Sequence, residues 1–218
     1  MVHSKVHRSL SGRFFDTLLF PLRALFAGTE PKWGLSTLRD ERMRAVARHC
    51  KGRVLDVGCG PGNLFIRDFI GPDQGVGVDV FAYEGVENVV DDPCRLPFED
   101  ESFDTLSLVA VVSHIPQSKR VEEFKEFARV LKPGGLLVAT EGEPVTQTLV
   151  HQWAHFYCAL RGKKDMDTER GMEEDEQYCM PHKELLSYLN TPPLQFVRRR
   201  PFMWGLNWVF IAQKQGSF

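Results

Sequence analysis

The sequence lacks a membrane-spanning segment, a disulfide pattern and a strong net charge. No stretch of its 218 residues reaches the roughly eighteen uninterrupted apolar residues of a spanning helix. The best candidate, 14–26, is interrupted by Asp16, Pro21 and Arg23 and has no small-residue cleavage pattern. The five cysteines are odd in number and not closely paired, which predicts reduced thiols in a cytoplasmic protein. A net charge of -2 provides no overall field to attract nucleic acid.

Glycine, by contrast, is concentrated in the stretch 54–64, whose sequence is VLDVGCGPGNL. A short run of branched apolar residues followed at once by Gly58, Gly60 and Gly62 predicts a buried strand, a tight turn and the start of a helix. A backbone that bends sharply against a ligand cannot carry a β-carbon, and a helix N-terminus offers free N–H groups. The stretch therefore predicts a turn that holds a ligand, although an ordinary glycine-rich connection would have the same pattern.

Three further stretches follow in the order expected of a nucleotide-type site. The apolar strand 75–80 carries Asp79, about twenty residues after the turn, a spacing that lets a carboxylate hold both ribose hydroxyls. The stretch 91–98, DDPCRLPF, precedes the apolar run 105–112, which predicts another buried strand. The stretch 131–135, LKPGG, predicts a turn into a strand over 136–141.

A dinucleotide-binding domain of the NAD type is the nearest alternative for this pattern. Its fingerprint requires a third glycine three positions after the second, so that helix and strand pack closely, and here that position is Asn63. Asp56, just before the first glycine, also suits a ligand with a cationic end better than a pyrophosphate. Both residues argue against a dinucleotide.

The run from 54 to 141 resembles the class I S-adenosylmethionine-dependent methyltransferases. Its Asp-x-x-x-Leu-Pro-Phe (92–98) and Leu-Lys-Pro-Gly-Gly (131–135) pieces resemble the small-molecule branch that includes quinone and sterol methyltransferases. The resemblance implies an α/β fold: a doubly wound, Rossmann-like, mostly parallel seven-stranded sheet with an antiparallel last strand and helices on both faces. It implies methyl transfer from S-adenosyl-L-methionine to a small, apolar or aromatic acceptor, releasing S-adenosyl-L-homocysteine. A non-catalytic binding or regulatory protein that keeps this fold is the alternative.

The resemblance also implies which residues hold the cofactor. Asp79 would hold the ribose, Asp92 would accept the adenine amino group, and the strand end at Val109 would offer a carbonyl to the ammonium. Pro93 departs from the usual pattern because it has no N–H for an adenine nitrogen. Either Cys94 supplies that bond from a shifted loop, or Asp92 and apolar contacts hold adenine alone. The full implied set is Asp56, Gly58, Gly60, Asp79, Val80, Asp92 and Val109.

His114 and Glu141 are the candidates for proton handling, which is needed only if the acceptor must lose a proton. His114 follows the strand 104–112, at the edge where open α/β sheets place their chemistry. It could serve as a base near neutral pH, or it could only anchor its loop through hydrogen bonds. A helix is predicted over 36–50, with its charged residues, Arg44 among them, mostly on a solvated face and an inward stripe formed by Leu38, Met43, Val46 and Ala47. Arg42 on this helix is a candidate for binding the methionine carboxylate by resemblance.

The chain is expected to form one domain over 1–218. Its expected parts are an N-terminal segment (1–35), a cofactor-binding core (36–142), a helical insert on the acceptor side (143–192) and the last strands (193–218). Within the N-terminal segment, 13–27 has apolar residues at helical spacing with basic residues beside them. This favours either a lid packed over the core or an interfacial helix resting on a membrane.

Further helices are predicted over 64–70, 118–131 and 181–189, with a third strand at 89–90 and the last two strands at 196–201 and 207–213. In the helix over 118–131, the charged residues are expected mostly outward, and the residues expected inward are Val121, Phe124, Phe127, Ala128 and Leu131. His151, His155 and Cys158, with Cys179 and His182 beyond, have spacings that permit a metal site but do not match a zinc module. We expect no metal, no nucleic-acid partner and a small-molecule acceptor.

Overall fold

The computed structural model describes Leu18 and residues 36–145 and 179–216. In chain order its elements are α1 (Leu38–Ala47), β1 (Val54–Val57), a 3-10 turn (Pro61–Asn63), a π-helix (Ile66–Ile70), β2 (Gly75–Asp79), β3 (Asn88–Val89), β4 (Phe103–Val109), a second 3-10 turn (Val112–His114), α2 (Arg120–Val130), β5 (Leu131–Gly142), α3 (His182–Leu189), β6 (Leu194–Phe202) and β7 (Asn207–Lys214). None of the helices described has the length and apolarity needed to cross a bilayer. The predicted segment 13–27 lies outside the described residues, apart from Leu18.

The seven strands in the described part of the chain form one sheet in the order β3-β2-β1-β4-β5-β7-β6. Strands β1 to β5 pair in parallel, and β7 runs antiparallel to both β5 and β6. The predicted doubly wound, mostly parallel sheet is therefore confirmed. The chain moves outward from β1 to β3 and then returns to place β4 on the other side of β1. This reversal opens a crevice at the carboxyl ends of β1 and β4, where sheets of this kind bind ligands.

Apolar side chains cover both faces of the sheet, as expected for strands that read as nearly continuous hydrophobic runs. On one face, Leu106 packs with Phe127 of α2 and Leu185 of α3. On the other face, Ile211 packs with Val46 of α1. Because the central strands β1 and β4 are mostly buried on both sides, their carboxyl ends have fixed positions at the crevice.

The predicted elements are largely confirmed, with irregularities at two of them. The helix predicted to reach Ile70 is present, and its last five residues, Ile66–Ile70, form the π-helix. The turn predicted at 131–135 lies inside β5, where the pairing with β4 skips from Leu131 to Leu136. Helix α1 starts after Thr37, whose side chain accepts the Asp40 N–H in a capping box.

The prediction for the faces of α2 was correct for the buried residues Phe124, Phe127, Ala128 and Leu131 but wrong at four other positions. Val121, expected inside, is 49% exposed, whereas Arg120, Glu123 and Glu126 are buried. Arg120 is held inside because its Nε donates to the Ile115 carbonyl at 3.0 Å and its Nη1 donates to a carboxylate of α3 at 2.6 Å. Periodicity alone could not identify these residues, since a charged side chain is buried only where partners satisfy it.

The predicted inward stripe of α1 also needs a correction. Met43 and Val46 are buried as expected, but Leu38 is exposed. Arg44, expected on the solvated face, is buried, and its Nη1 donates to the hydroxyl of Ser36 at 3.1 Å and to Glu41 at 2.8 Å. Local hydrogen-bond partners therefore decide which charged residues α1 turns inward.

The ion pair between α2 and α3 generates a stability prediction. Arg120 is fully buried and its Nη1 lies 2.6 Å from Oε1 of Glu184, which is only partly exposed. Glu184→Gln would leave the buried guanidinium without its counter-charge, so we expect the free energy of unfolding to fall by about 1–3 kcal/mol. Urea denaturation measures this change. Glu122→Gln, at an exposed position of α2, is the matched control and should stay within about 0.5 kcal/mol of the wild type. Equal midpoints for both variants would contradict the prediction.

Candidate functional site

The turn after β1 has two glycines that need their lack of a side chain for different reasons. Gly58 has φ of 70°, and a β-carbon there would lie 2.2 Å from Cγ2 of Val111. Gly60 has φ of 65°, and no atom lies within 4 Å of the place where its β-carbon would be. Gly58 is therefore required by packing, whereas Gly60 is required only by its backbone and leaves open space beside the turn. That open space is what a ligand cradle needs.

The carboxylate of Asp79 joins this turn to the end of β2. The Gly60 N–H donates to Oδ2 at 2.8 Å, and the Phe81 N–H donates to Oδ1 at 3.0 Å. The N–H groups of Gly58 and Cys59 donate to the Val78 carbonyl at 2.9 and 3.1 Å. Asp79 is buried, and each of its oxygens can accept a further hydrogen bond. The predicted ribose ligand is thus held at the crevice with acceptor capacity left over.

Asp56 lies beneath the turn and is 1% exposed. Its Oδ1 accepts the Ser107 hydroxyl at 2.6 Å. Burial raises the pKa of Asp56 to about 7; the Ser107 hydroxyl opposes this rise, and the nearby Asp79 charge adds to it. A buried carboxyl with this pKa is poised to favour a cationic group in its neighbourhood. Ser107 was not predicted, and its only signal was a hydroxyl between two leucines of β4.

The predicted adenine side lies beyond Asp79, where Val80 and Phe81 expose their side chains at the strand end. Asp92 is exposed and its Oδ1 accepts the Cys94 N–H at 3.0 Å. The N–H that could have replaced the one missing at Pro93 is therefore already bonded to Asp92. Of the two alternatives, this geometry favours adenine binding by Asp92 and apolar contacts.

The carboxyl end of β4 turns sharply after Val109. Ala110 has φ of 58°, a left-handed conformation that residues with a β-carbon rarely adopt. It is held there because its N–H donates to the Thr140 hydroxyl at 3.0 Å. His114 follows in the second 3-10 turn, with its backbone N–H donating to the Val111 carbonyl at 2.8 Å. Strained backbone at a sheet edge is a common feature of functional sites.

Glu141, at the carboxyl end of β5, is 5% exposed, and its two carboxylate oxygens differ in their hydrogen bonds. Its Oε1 accepts the Gly142 N–H at 3.0 Å, while Oε2 has no hydrogen-bond partner among the described residues. Burial raises the pKa of Glu141, and the Gly142 N–H, the Cys179 thiol and the Arg42 guanidinium partly offset that rise. Burial likewise raises the pKa of the Cys179 thiol, which keeps its proton.

Four side chains near the end of β5 come from distant parts of the chain. The His182 ring has Nε2 2.8 Å from the Gly142 carbonyl and packs edge-on against Trp208. The Nε of Arg42 donates to Oδ1 of Asn207 at 2.8 Å, which ties α1 to the start of β7. Asn207 was not predicted, because no motif marks it and its partner is far away in sequence.

The structure thus groups the predicted residues into two halves along one sheet edge. Asp56, Gly58, Gly60 and Asp79 form a compact unit at β1 and β2, whereas Glu141 lies at the end of β5 beside the start of β7. Residues 36–145 and 179–216 contain no group of three or more histidine, cysteine, aspartate or glutamate side chains arranged to hold a metal ion. His151, His155 and Cys158 lie outside the described residues.

Comparison with known proteins gives consistent matches. A family model described as a methyltransferase domain matches residues 55–139. Demethylmenaquinone methyltransferase of Staphylococcus aureus is 32% identical over 185 residues, which cover 75% of this chain and 76% of that protein. The human probable tRNA methyltransferase 9B is 36% identical over 91 residues, but this match spans 39% of this chain and only 20% of the human protein.

The fold is also shared with a solved structure at low identity. The 1,6-didemethyltoxoflavin-N1-methyltransferase of Burkholderia thailandensis, solved with 1,6-didemethyltoxoflavin and S-adenosylhomocysteine bound, has a TM-score of 0.55 and 14% identity. The match covers 96% of this chain and 92% of that one. It supports the architecture of the sheet and its crevice.

The buried carboxyl beneath the turn predicts a pH-dependent stability. The pKa of Asp56 is about 7 in the folded protein, above its ordinary value of 3.8. Between these pH values the folded state keeps a proton that the unfolded state releases, so the free energy of unfolding falls as the pH rises towards 7. In the wild type this fall in the free energy of unfolding should be on the order of a few kcal/mol, and we expect Asp56→Asn to remove it. Urea denaturation of the ligand-free protein from pH 4 to pH 8 measures the slope.

Asp73→Asn, which changes an exposed carboxylate, is the control and should keep the wild-type slope. Burial raises the pKa of Glu123 to about 7 as well. Glu123 therefore adds its own fall in the free energy of unfolding as the pH rises, and this fall remains in both variants. A slope in Asp56→Asn as steep as in the wild type would show that Asp56 is not the proton-binding group.

Proposed function

Since the chain belongs to the class I S-adenosylmethionine-dependent methyltransferases, in the branch similar to the quinone and sterol enzymes, we propose that it methylates a small, apolar or aromatic acceptor. The observation that carries this proposal is the open space at Gly60 beside the Asp79 carboxylate. A backbone turn without a side chain, facing a fixed carboxylate at the switch point of the sheet, fits a nucleoside with a charged tail.

The residues of the crevice fit the two ends of S-adenosyl-L-methionine. When bound, this cofactor supplies a methyl group already activated on a sulfonium sulfur. Asp79 would accept the ribose hydroxyls, and Val80 and Asp92 would line the adenine. Asp56 and the end of β4 at Val109 would attract the ammonium end, since a buried carboxyl and a strand-end carbonyl both favour a cation. These assignments follow the motif positions and agree with the burial and hydrogen bonds of each side chain.

Glu141 is the residue we assign to the acceptor. A buried carboxyl with one unsatisfied oxygen can receive a hydrogen bond, and then a proton, from an acceptor hydroxyl or N–H. Its raised pKa brings its basicity closer to neutral pH. The rings of His182 and Trp208 beside it supply the apolar wall that an aromatic acceptor needs. Holding the acceptor in line is itself worth up to several kcal/mol of the barrier.

The cofactor assignment predicts the effect of a change at Asp79. Asp79→Asn removes the charge that would hold the ribose, so we expect affinity for S-adenosylmethionine and S-adenosylhomocysteine to fall roughly ten- to a hundredfold. Calorimetric titration measures it, with NADH as a ligand that should not bind. Asp91→Asn, an exposed carboxylate next to Asp92, is the control and should bind normally. Unchanged affinity in folded Asp79→Asn would remove the ribose assignment.

The acceptor assignment predicts a separate effect at Glu141. With an acceptor found by screening quinols, phenols and lipids for release of S-adenosylhomocysteine, Glu141→Gln should lower kcat roughly 10²- to 10⁴-fold and leave cofactor affinity unchanged. The plot of kcat against pH should also lose the rise that accompanies ionisation of the Glu141 carboxyl. His114→Gln is the matched comparison: if that variant loses turnover and Glu141→Gln does not, the base is His114. Cofactor binding without turnover on any acceptor would favour the non-catalytic alternative.

A further inference from the structure

Strand β6 forms an outer edge of the sheet and carries three consecutive exposed arginines, Arg198, Arg199 and Arg200. Edge strands often carry charges because these discourage pairing with other chains, and that role alone would explain scattered arginines. The side chains here are not scattered, because the sheet pairing sorts them between its two faces. Their arrangement therefore needs a further explanation.

The three arginines do not share one surface, because successive side chains of a strand point to opposite faces. Arg199 lies over the ring of Trp208, with its guanidinium carbon 4.8 Å from the ring centroid. Arg198 and Arg200 pair with Ile211 and Val209, whose side chains pack on the α1 side of the sheet. Two of the arginines thus extend from the same face as α1.

Arg198 and Arg200 lie near a third arginine, Arg48, at the end of α1. Burial lowers the pKa of His49, and the charges of Arg198, Arg200 and Arg48 lower it further. Arg48, Arg198 and Arg200 are all exposed, and we call these three residues the basic face. Neither Arg198 nor Arg200 forms an ion pair within the part of the chain that the structure describes. Arg198 and Arg200 are thus like charges held together without a counter-ion among the described residues, and this arrangement fits an anionic partner.

An exposed aromatic residue lies at the end of the same strand. The turn from β6 to β7 contains Trp204, which is 65% exposed although its backbone adopts φ of 61°. This turn is at the crevice edge, because Asn207 pairs with Gly142, the residue after Glu141. Val197, beside the arginines on β6, is 51% exposed. Strand β6 and the turn after it therefore combine cations with an aliphatic side chain and an indole, and the indole lies at the acceptor edge.

We propose that the basic face, Val197 and Trp204 dock the protein on an anionic lipid bilayer. Arginines bind lipid phosphates and anionic headgroups, and tryptophan prefers the boundary between headgroups and acyl chains. Val197 favours a bilayer over a nucleic acid, since an aliphatic side chain has no partner on a phosphate backbone. The inference rests on the proposed function, because an apolar acceptor dissolved in the bilayer would then enter from the docked edge.

Vesicle co-sedimentation of the full chain tests the proposal. We expect binding to phosphatidylcholine vesicles that contain phosphatidylserine, weaker binding without phosphatidylserine, and loss at high salt. Each basic residue near an anionic surface is worth about fivefold in partitioning, so Arg198→Gln with Arg200→Gln should weaken binding roughly twentyfold. Trp204→Ser should weaken binding to both kinds of vesicle. The segment 13–27 is present in every variant, so these differences report on the proposed surface.

Lys119→Gln with Lys125→Gln removes the same charge from exposed positions near α2, on the opposite face of the sheet, and should bind as the wild type does. Equal partitioning of the arginine double variant and the wild type would overturn the proposal. So would binding to a transfer RNA that is tighter than binding to vesicles and lost in the same variant. Cofactor titration separates a failure of the docking proposal from a failure of the proposed function. Loss of vesicle binding with cofactor affinity intact concerns the docking surface alone. Wild-type protein that does not bind the cofactor contradicts the proposed function.

Discussion

The carboxylate of Asp79 makes the contact on which the crevice depends. It accepts one N–H from the glycine turn and one from the chain that leaves β2, so it fixes two neighbouring strand ends relative to each other. The same contact places it close enough to Asp56 to raise the pKa of that buried carboxyl. Two carboxyl groups in one buried place are unfavourable for the empty protein. A ligand with hydroxyls at one end and a cation at the other would relieve both.

The features that the sequence predicted correctly are those with local causes. The turn at Gly58 and Gly60 and the strand before it were predictable because conformation and apolar runs are encoded within a few residues. Asn63 occupies the position where the dinucleotide fingerprint has its third glycine. Its side chain lies against Gly77 of β2, where a β-carbon would come within 2.4 Å of Oδ1. The close approach of helix and strand is thus retained, with the glycine on the strand instead of the turn.

The errors arose where burial depends on partners distant in sequence. Arg120 is buried because Glu184, 64 positions later, receives its charge, and Glu126 is buried because it accepts the Leu96 N–H, 30 positions earlier. A helical pattern of charged residues does not show which distant residues will become their partners. The same reason separates the two halves of the proposed site. The residues proposed for the cofactor lie within one stretch of the chain, whereas Asn207 reaches the residues proposed for the acceptor only through the pairing of β7 with β5.

This division also suggests how one fold can change its acceptor while keeping its cofactor. The turn and Asp79 are constrained by backbone hydrogen bonds, so most substitutions there would disturb the sheet edge itself. Glu141 has a single backbone N–H on one oxygen, and the side chains of Cys179, His182 and Trp208 lie near the end of its strand. Side chains can be exchanged without moving a strand. Burial raises the pKa of Glu141, and the Gly142 N–H, Cys179 and Arg42 only partly offset that rise, so its basicity depends on the side chains that bury it. If Glu141 serves the acceptor as proposed, the chemistry at the acceptor can be adjusted at β5 without any change at β1 or β2.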